Sequence, residues 1–278
     1  MHRLIDFDSH FQGHLSAWFE RMQAKYTLER LEPMVPDVYE QWKAKPADWL
    51  DGETPQGYFD AMNDPEELVA LLLAYMDSAM GAPDLLLDRI TEVKETEERL
   101  MRVLRAEEGF MPGSDPEAAV ILAIRLLDEM QSALPVEFLV QKVASREQED
   151  SVADVAAESL LNMAEAACGL VFEALQHGVA AKGKECFADI VAGCQEDPRV
   201  YPFLIEVFAE AEEKGLAASF LGRHGNPEAL QTLALAMEAV DLSYYDYMLI
   251  REAFEELGGV VDIPRDFSGD ELFERLKG

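Results

Sequence analysis

Apolar side chains return along most of this chain at spacings of three and four residues, the period of one helix face. The clearest example is the segment of residues 216–239, which is predicted to be two short helices folded back on each other. Gly222 and Gly225 are expected to end its first helix, because glycine readily adopts the left-handed conformation that closes a helix. Asn226 and Pro227 then offer a capping side chain and a residue suited to the first helical position. The apolar stripe of the second helix is Leu230, Leu233, Ala234 and Met237.

The same pattern recurs with a period of 30–36 residues. An apolar residue closes each first helix, and another large apolar residue follows about twelve positions later. The first set is Ile90, Leu126, Leu160, Val191, Leu221 and Leu257, with separations of 36, 34, 31, 30 and 36 residues. The second set is Phe138, Phe172, Phe203 and Leu233. A single hairpin of this kind cannot bury its apolar stripes, so the fixed offsets indicate stacked helical hairpins.

Helix starts are marked by a capping residue followed by proline, which is tolerated in the first turn of a helix. The pairs are Thr54-Pro55, Asp64-Pro65, Asp115-Pro116, Asp197-Pro198 and Asn226-Pro227. The helix that opens at Asp64 is predicted to reach about Met80. Residues 46–59 are rich in turn formers but carry Trp49, Leu50, Tyr58 and Phe59, so this loop is expected to pack against the core.

First helices with small residues, short Gly or Asn/Asp turns and apolar second helices resemble HEAT repeats, particularly the short type of phycobilisome-lyase-like proteins. Residues 216–239 and 152–175 carry the resemblance best, and it covers roughly residues 83–258. It implies an all-α chain in which HEAT-like hairpins form an α-solenoid, a right-handed superhelix. We expect an irregular helical cap in residues 1–81 and the repeat array in residues 82–278. The family pattern is a packing pattern and implies no particular activity.

The charge of the chain narrows the range of partners. It has 55 acidic and 23 basic residues, a formal net charge of −32 spread along the whole sequence. Such a field repels phosphate backbones and anionic lipid, which argues against nucleic-acid and membrane partners. A basic protein or peptide is the natural complement, and an acidic surface that only keeps the protein in solution is the alternative.

Candidate chemistry is sparse. Three irregularly spaced cysteines, Cys168, Cys186 and Cys194, suit buried small hydrophobes better than a disulfide framework or a zinc site. His10 and His14 stand four apart on a predicted helix, a spacing that can serve one metal, but no third ligand follows at a recognised spacing. We therefore expect no metal, no cofactor and no catalytic residue. Without a secretory signal or a long apolar run, a cytoplasmic location is expected by default.

Two charged stretches each leave two interpretations open. Arg99, Arg102 and Arg105 recur along one helix face, either as partners of neighbouring glutamates or as an anchor for an acidic ligand. Residues 147–181 contain no Lys or Arg, which describes either a solvated face or a docking surface for a basic partner.

The second helices of a HEAT-type stack line its concave surface. Their polar positions here include five glutamates, Glu173, Glu206, Glu210, Glu228 and Glu238, which would form a negative trough. No basic residue of the same helices offsets this charge, and Arg199 is expected to lie away from the middle of the trough. The predicted function is a non-catalytic scaffold that binds a basic protein or peptide in this trough. The alternatives are an enzyme or cofactor-handling protein of the lyase-like type with a groove site and, more remotely, an acidic mimic of nucleic acid.

Overall fold

The structure is a computed structural model that describes residues 4–78, 80–106, 115–261 and 265–277. Every regular element in these ranges is a helix, so the chain is all-α as the sequence predicts. Within the same ranges, no helix is both long and apolar enough to cross a membrane.

The chain divides into two compact units, Met1–Leu134 and Pro135–Gly278. The first contains α1 (Phe7–Met22), α2 (Leu28–Leu31), α3 (Val35–Lys43), α4 (Pro55–Asp60), α5 (Pro65–Met76), α6 (Asp84–Glu92), α7 (Thr96–Leu104) and α8 (Pro116–Glu129). The second contains α9 (Val136–Ala144), α10 (Ser151–Asn162), α11 (Ala164–His177), α12 (Ala181–Val191), α13 (Val200–Glu210), α14 (Lys214–His224), α15 (Leu230–Met237), α16 (Tyr244–Glu256) and α17 (Glu271–Lys277). Short 3₁₀ helices occupy Glu32–Met34, Asp48–Leu50 and Pro227–Ala229. The boundary between residues 81 and 82 marks the start of the repeat pattern and stays a prediction.

Four of the predicted helix starts are confirmed. Thr54, Asp64, Asp115 and Asn226 each accept a hydrogen bond from a backbone N–H of the following turn, with proline early in that turn. The predicted start at Asp197-Pro198 is wrong, since α13 begins only at Val200. The carboxylate of Asp197 accepts from the backbone N–H of Arg199, as a capping residue does, and also from the guanidinium of Arg199. The capping interaction is therefore present, but the regular helix starts after it.

Aromatic side chains form much of the core at the start of the first unit. Phe7 packs against Trp49 and Phe59, with ring centroids 5.3 and 4.9 Å apart. Leu50 is buried as well, so the loop of residues 46–59 packs against the core as predicted. Further along, α5 contacts α6 and α7, and α8 contacts α6 and α7.

The end of α5 differs from the sequence prediction. The helix stops at Met76 rather than near Met80. The hydroxyl of Ser78 donates to the carbonyl of Tyr75 and accepts from the backbone N–H of Met80. Serine competes in this way with the backbone hydrogen bonds of a helix, which explains the early end.

In the second unit, even-numbered helices contact other even-numbered helices, and odd-numbered helices contact other odd-numbered helices. Helix α12 contacts both α10 and α14, and α14 contacts α16. Helix α9 contacts α11, and Phe172 of α11 meets Phe203 of α13 at 5.9 Å between ring centroids. The even-numbered helices are the predicted first helices, and α9, α11 and α13 are predicted second helices. First helices thus contact first helices and second helices contact second helices, and first helices also contact second helices, as α10 does α9 and α14 does α13.

The residues chosen as anchors of the repeat lie mostly in the core. Ile90, Leu126, Leu160, Val191 and Leu221 are at most 2% exposed. Leu257 differs, because it follows the last residue of α16 and is only partly buried.

Two glycines allow α14 and α16 to approach closely. A methyl group at Gly222 would lie 3.0 Å from the Cα of Ala253, and one at Gly215 would lie 3.1 Å from the Cα of Asp246. Both pairs are 31 residues apart, so the two helices run parallel with this register. Gly222 thus lies inside α14, and the prediction that it breaks the helix is wrong. Gly225 ends the helix with φ of +79°, as predicted.

Candidate functional site

The predicted second helices α9, α11 and α13 carry two open depressions. The first, the α9/α11 slot, has a volume of about 430 Å³ and is lined by Glu137, Val140, Gln141, Ala144, Ser145, Leu170, Glu173, Ala174, His177 and Gly178. The second, the α11/α13 groove, has a volume of about 770 Å³ and is lined by Phe172, Leu175, Gln176, Gly178, Val179, Lys184, Pro198, Arg199, Pro202, Phe203 and Glu206. Helix α11 contributes to both.

The five predicted trough glutamates are all exposed, but they do not share one depression. Glu173 lines the slot, and Glu206 lines the groove. Glu210 lies one turn beyond Glu206 on α13. Glu228 lies in the 3₁₀ turn before α15 and Glu238 caps the end of that helix, and neither is among the residues that line the slot or the groove. Whether the five form one continuous binding surface stays a prediction.

A lysine missed by the sequence argument partly neutralises this surface. The ammonium group of Lys184, on α12, lies 2.7 Å from a carboxylate oxygen of Glu206 and 2.7 Å from one of Glu210. Burial alone would lower the pKa of Lys184, but the hydrogen bonds to the two glutamates outweigh it and raise that pKa. Since Lys184 is more than twenty residues away in sequence, inspection of the second helices alone could not reveal this pairing.

Arg199, which precedes the first residue of α13, also lines the α11/α13 groove. Its guanidinium carbon is 4.4 Å from the ring centre of Phe172, a cation–π contact on the groove wall. Its Nη2 atom is 2.6 Å from Oδ2 of Asp197. Hydrogen bonds from the side chain and then the backbone of Arg199 hold the pKa of Asp197 below its ordinary value. The α11/α13 groove is therefore a mixed-charge site with an aromatic wall.

The α9/α11 slot has a different character. Val140 is buried, and Ala144, Leu170 and Ala174 are partly buried, so its walls are largely apolar. The exposed carboxylates of Glu137 and Glu173 come from the two helices that form it. Among the described residues that line the slot, none is a lysine or an arginine.

Both charged stretches of the sequence contain residues whose ion-pair partners lie outside the stretch. Arg99 and Arg102 of α7 both pair with Glu66 of α5, with Arg99 Nε 2.8 Å from Glu66 Oε2. These two ion pairs are contacts between helices, which the spacing of the arginines along α7 does not predict.

Bases from outside the stretch 147–181 reach into it. Lys142 Nζ lies 2.8 Å from Asp150 Oδ2, and Arg146 Nη2 lies 2.7 Å from Asp154 Oδ1. Two of the carboxylates at the start of the stretch, Asp150 and Asp154, thus have basic partners, whereas Glu173 near its end lines the slot.

Other candidate groups have structural surroundings. The ring of His10 stacks on Trp49 with 3.9 Å between centroids. Within the described ranges, no three His, Cys, Asp or Glu side chains come close enough together to hold a metal ion. Cys168 and Cys194 are buried as predicted, and Cys186 is partly buried. Burial, with the neighbouring thiol of Cys194, raises the pKa of Cys168 to about 12, so this thiol stays protonated at neutral pH.

Comparison with known proteins adds no relative: no protein-family model, no curated protein and no solved structure matches the chain.

Proposed function

We propose that this chain is a non-catalytic scaffold that binds a Lys- or Arg-bearing segment of another protein along the face of α9, α11 and α13. The observation that carries the proposal is that this face holds two open depressions with apolar walls and exposed carboxylates. Apolar walls provide area for contact, and carboxylates at the rim select for positive charge and orient the ligand.

We also propose that the helices of the second unit form a HEAT-like solenoid. The parallel contact of α14 and α16 supports this arrangement, as do the contacts of α12 with α10 and α14. Stacking of equivalent helices in one direction is the geometry by which helical repeats extend a core and present a row of second helices. The helices of the second unit would then both build the core and present the binding face.

A basic partner fits the charge of the chain better than an acidic one. The net charge of −32 attracts cations over distances of about a Debye length, roughly 10 Å at moderate salt. Lys184 and Arg199 reduce the negative charge of the α11/α13 groove, since each is bound to carboxylates. The negative potential is therefore expected to be strongest toward Glu137 and Glu173, at the slot.

A random-peptide display selection tests this proposal directly. The purified chain is immobilised, and enriched peptides are sequenced and measured by fluorescence anisotropy at low and high salt. We expect enrichment of peptides with Lys or Arg, and affinities that fall as salt rises. Failure to enrich any basic sequence over an empty matrix would refute the proposed function.

Matched variants locate the binding face. Glu173→Lys changes the charge of the face, and Glu158→Lys makes the same change at an exposed position of α10. Loss of binding in the first variant and retention in the second is the expected result. Lys184→Gln should strengthen binding, because it releases the carboxylates of Glu206 and Glu210. Equal effects of Glu173→Lys and Glu158→Lys would place the interaction elsewhere or make it non-specific.

A further inference from the structure

Resting on the proposed function, we infer that the α9/α11 slot is the subsite that takes one basic side chain of the bound segment. Of the two depressions on this face, only the slot combines apolar walls with carboxylates from both sides and no lysine or arginine among its described lining residues. The occupant is an arginine or lysine side chain of a partner protein.

The walls fit the stem of such a side chain. Val140 and Ala144 lie on α9, and Leu170 and Ala174 lie on α11, so aliphatic groups face the slot from both helices. Lysine and arginine place their methylene groups along apolar surface while the charged end stays near water. A purely polar ligand, such as a small anion, would gain nothing from these walls and would be repelled by the carboxylates.

The rim fits the charged end. Glu137 and Glu173 are both exposed, so their carboxylate oxygens are accessible to hydrogen-bond donors of a ligand. Glu137 Oε1 accepts one weak hydrogen bond, at 3.3 Å, from Gln141 of the same helix. A carboxylate has about four acceptor sites, so this bond leaves capacity for a guanidinium or ammonium group.

The α11/α13 groove is less suited than the slot to a basic side chain of the partner. In the α11/α13 groove, Arg199 covers the ring of Phe172 and Lys184 is bound to Glu206. A second cation would have to displace one of these residues. The groove is better suited to an uncharged part of the same segment.

The experiment uses a fluorescein-labelled octapeptide of alternating arginine and alanine, and the same peptide with citrulline in place of arginine. Citrulline keeps the shape of arginine but carries no charge. The full chain should bind the arginine peptide at low salt and lose most of that binding with the citrulline peptide. Glu137→Gln should weaken binding of the arginine peptide about 2- to 5-fold, the range of an exposed ion pair. Glu158→Gln, which also removes one charge, should leave binding unchanged.

A second variant separates the slot from a diffuse acidic field. Ala174→Met fills the slot without altering net charge and with only a small loss of helix propensity, and a thermal melt checks that the variant remains folded. We expect this variant to weaken binding of the arginine peptide at least as much as Glu137→Gln does. If the wild type binds the peptide and both variants bind it as tightly as the wild type does, the slot assignment is overturned and the proposed function survives. If the wild type does not bind the arginine peptide at low salt, the slot assignment and the basic partner are both refuted.

Discussion

Replacing Gly222 with alanine tests the parallel contact of α14 and α16, on which the proposed stack of first helices depends. The added methyl group would lie 3.0 Å from both the Cα and the Cβ of Ala253. Such overpacking typically costs about 1–3 kcal/mol, because a backbone atom cannot turn aside as a flexible side chain can. Alanine in a helix interior regains about 1 kcal/mol over glycine. The net expectation is a loss of up to about 2 kcal/mol in the free energy of unfolding.

Gly169 offers a matched control. It lies inside α11, and a methyl group there would meet nothing within 4 Å. Gly169→Ala should therefore gain about 1 kcal/mol from helix propensity alone. The same chemical change is thus expected to have opposite effects at the two positions.

Two signals follow urea unfolding of this chain, and one of them reports on the first unit alone. All three tryptophans, Trp18, Trp42 and Trp49, belong to the first unit, so their fluorescence reports on that unit. Far-UV circular dichroism reports on the whole chain. Gly222→Ala should lower the midpoint measured by circular dichroism below that of the wild type, and Gly169→Ala should raise it. If Gly222→Ala stabilised the chain as much as Gly169→Ala, the close approach of α14 and α16 would be wrong.

Three further outcomes follow from individual side chains. Leu233→Ala should cost about 2–5 kcal/mol of stability in thermal or urea unfolding, because Leu233 is fully buried, whereas Leu235→Ala at a 63% exposed position should change stability little. Asn226→Ala should cost about 1 kcal/mol in the same assays, because it removes the hydrogen bond from the backbone N–H of Glu228; an unchanged melting temperature would argue against that cap. Cys168 should react slowly with a thiol reagent at pH 8, and its reaction should accelerate as pH rises toward 12 or when urea unfolds the chain; rapid reaction of the native protein at pH 7 would contradict its raised pKa.

Local signals explain which parts of the fold could be predicted from sequence. The cap of Asn226 and the left-handed conformation of Gly225 depend on residues within one turn, so the local sequence predicts them. The role of Gly222 cannot be predicted from its own turn, because it depends on the close contact with Ala253, 31 residues away. At Asp197 the capping hydrogen bond is present, yet α13 begins only at Val200, so a local cap signal alone did not fix the first helical residue.

The candidate site was predictable only in part for the same reason. The repeat spacing put Phe172 and Phe203 on equivalent second helices, and the two rings do meet. The pairing of Lys184 with Glu206 joins two helices through a contact that no periodicity encodes. The position of Glu137 in the slot cannot be predicted from α9 alone, since α9 and α11 form the slot together.

Hydrogen–deuterium exchange of the full chain, with and without the alternating arginine–alanine octapeptide, directly tests whether the face of α9, α11 and α13 binds a basic segment. Exchange of backbone amides in α9 and α11 should slow when the peptide is bound, while exchange in α14 and α16 should not change. Slower exchange confined to other helices, or none at a peptide concentration that saturates the anisotropy signal, would contradict the claim that the face of α9, α11 and α13 is the binding surface.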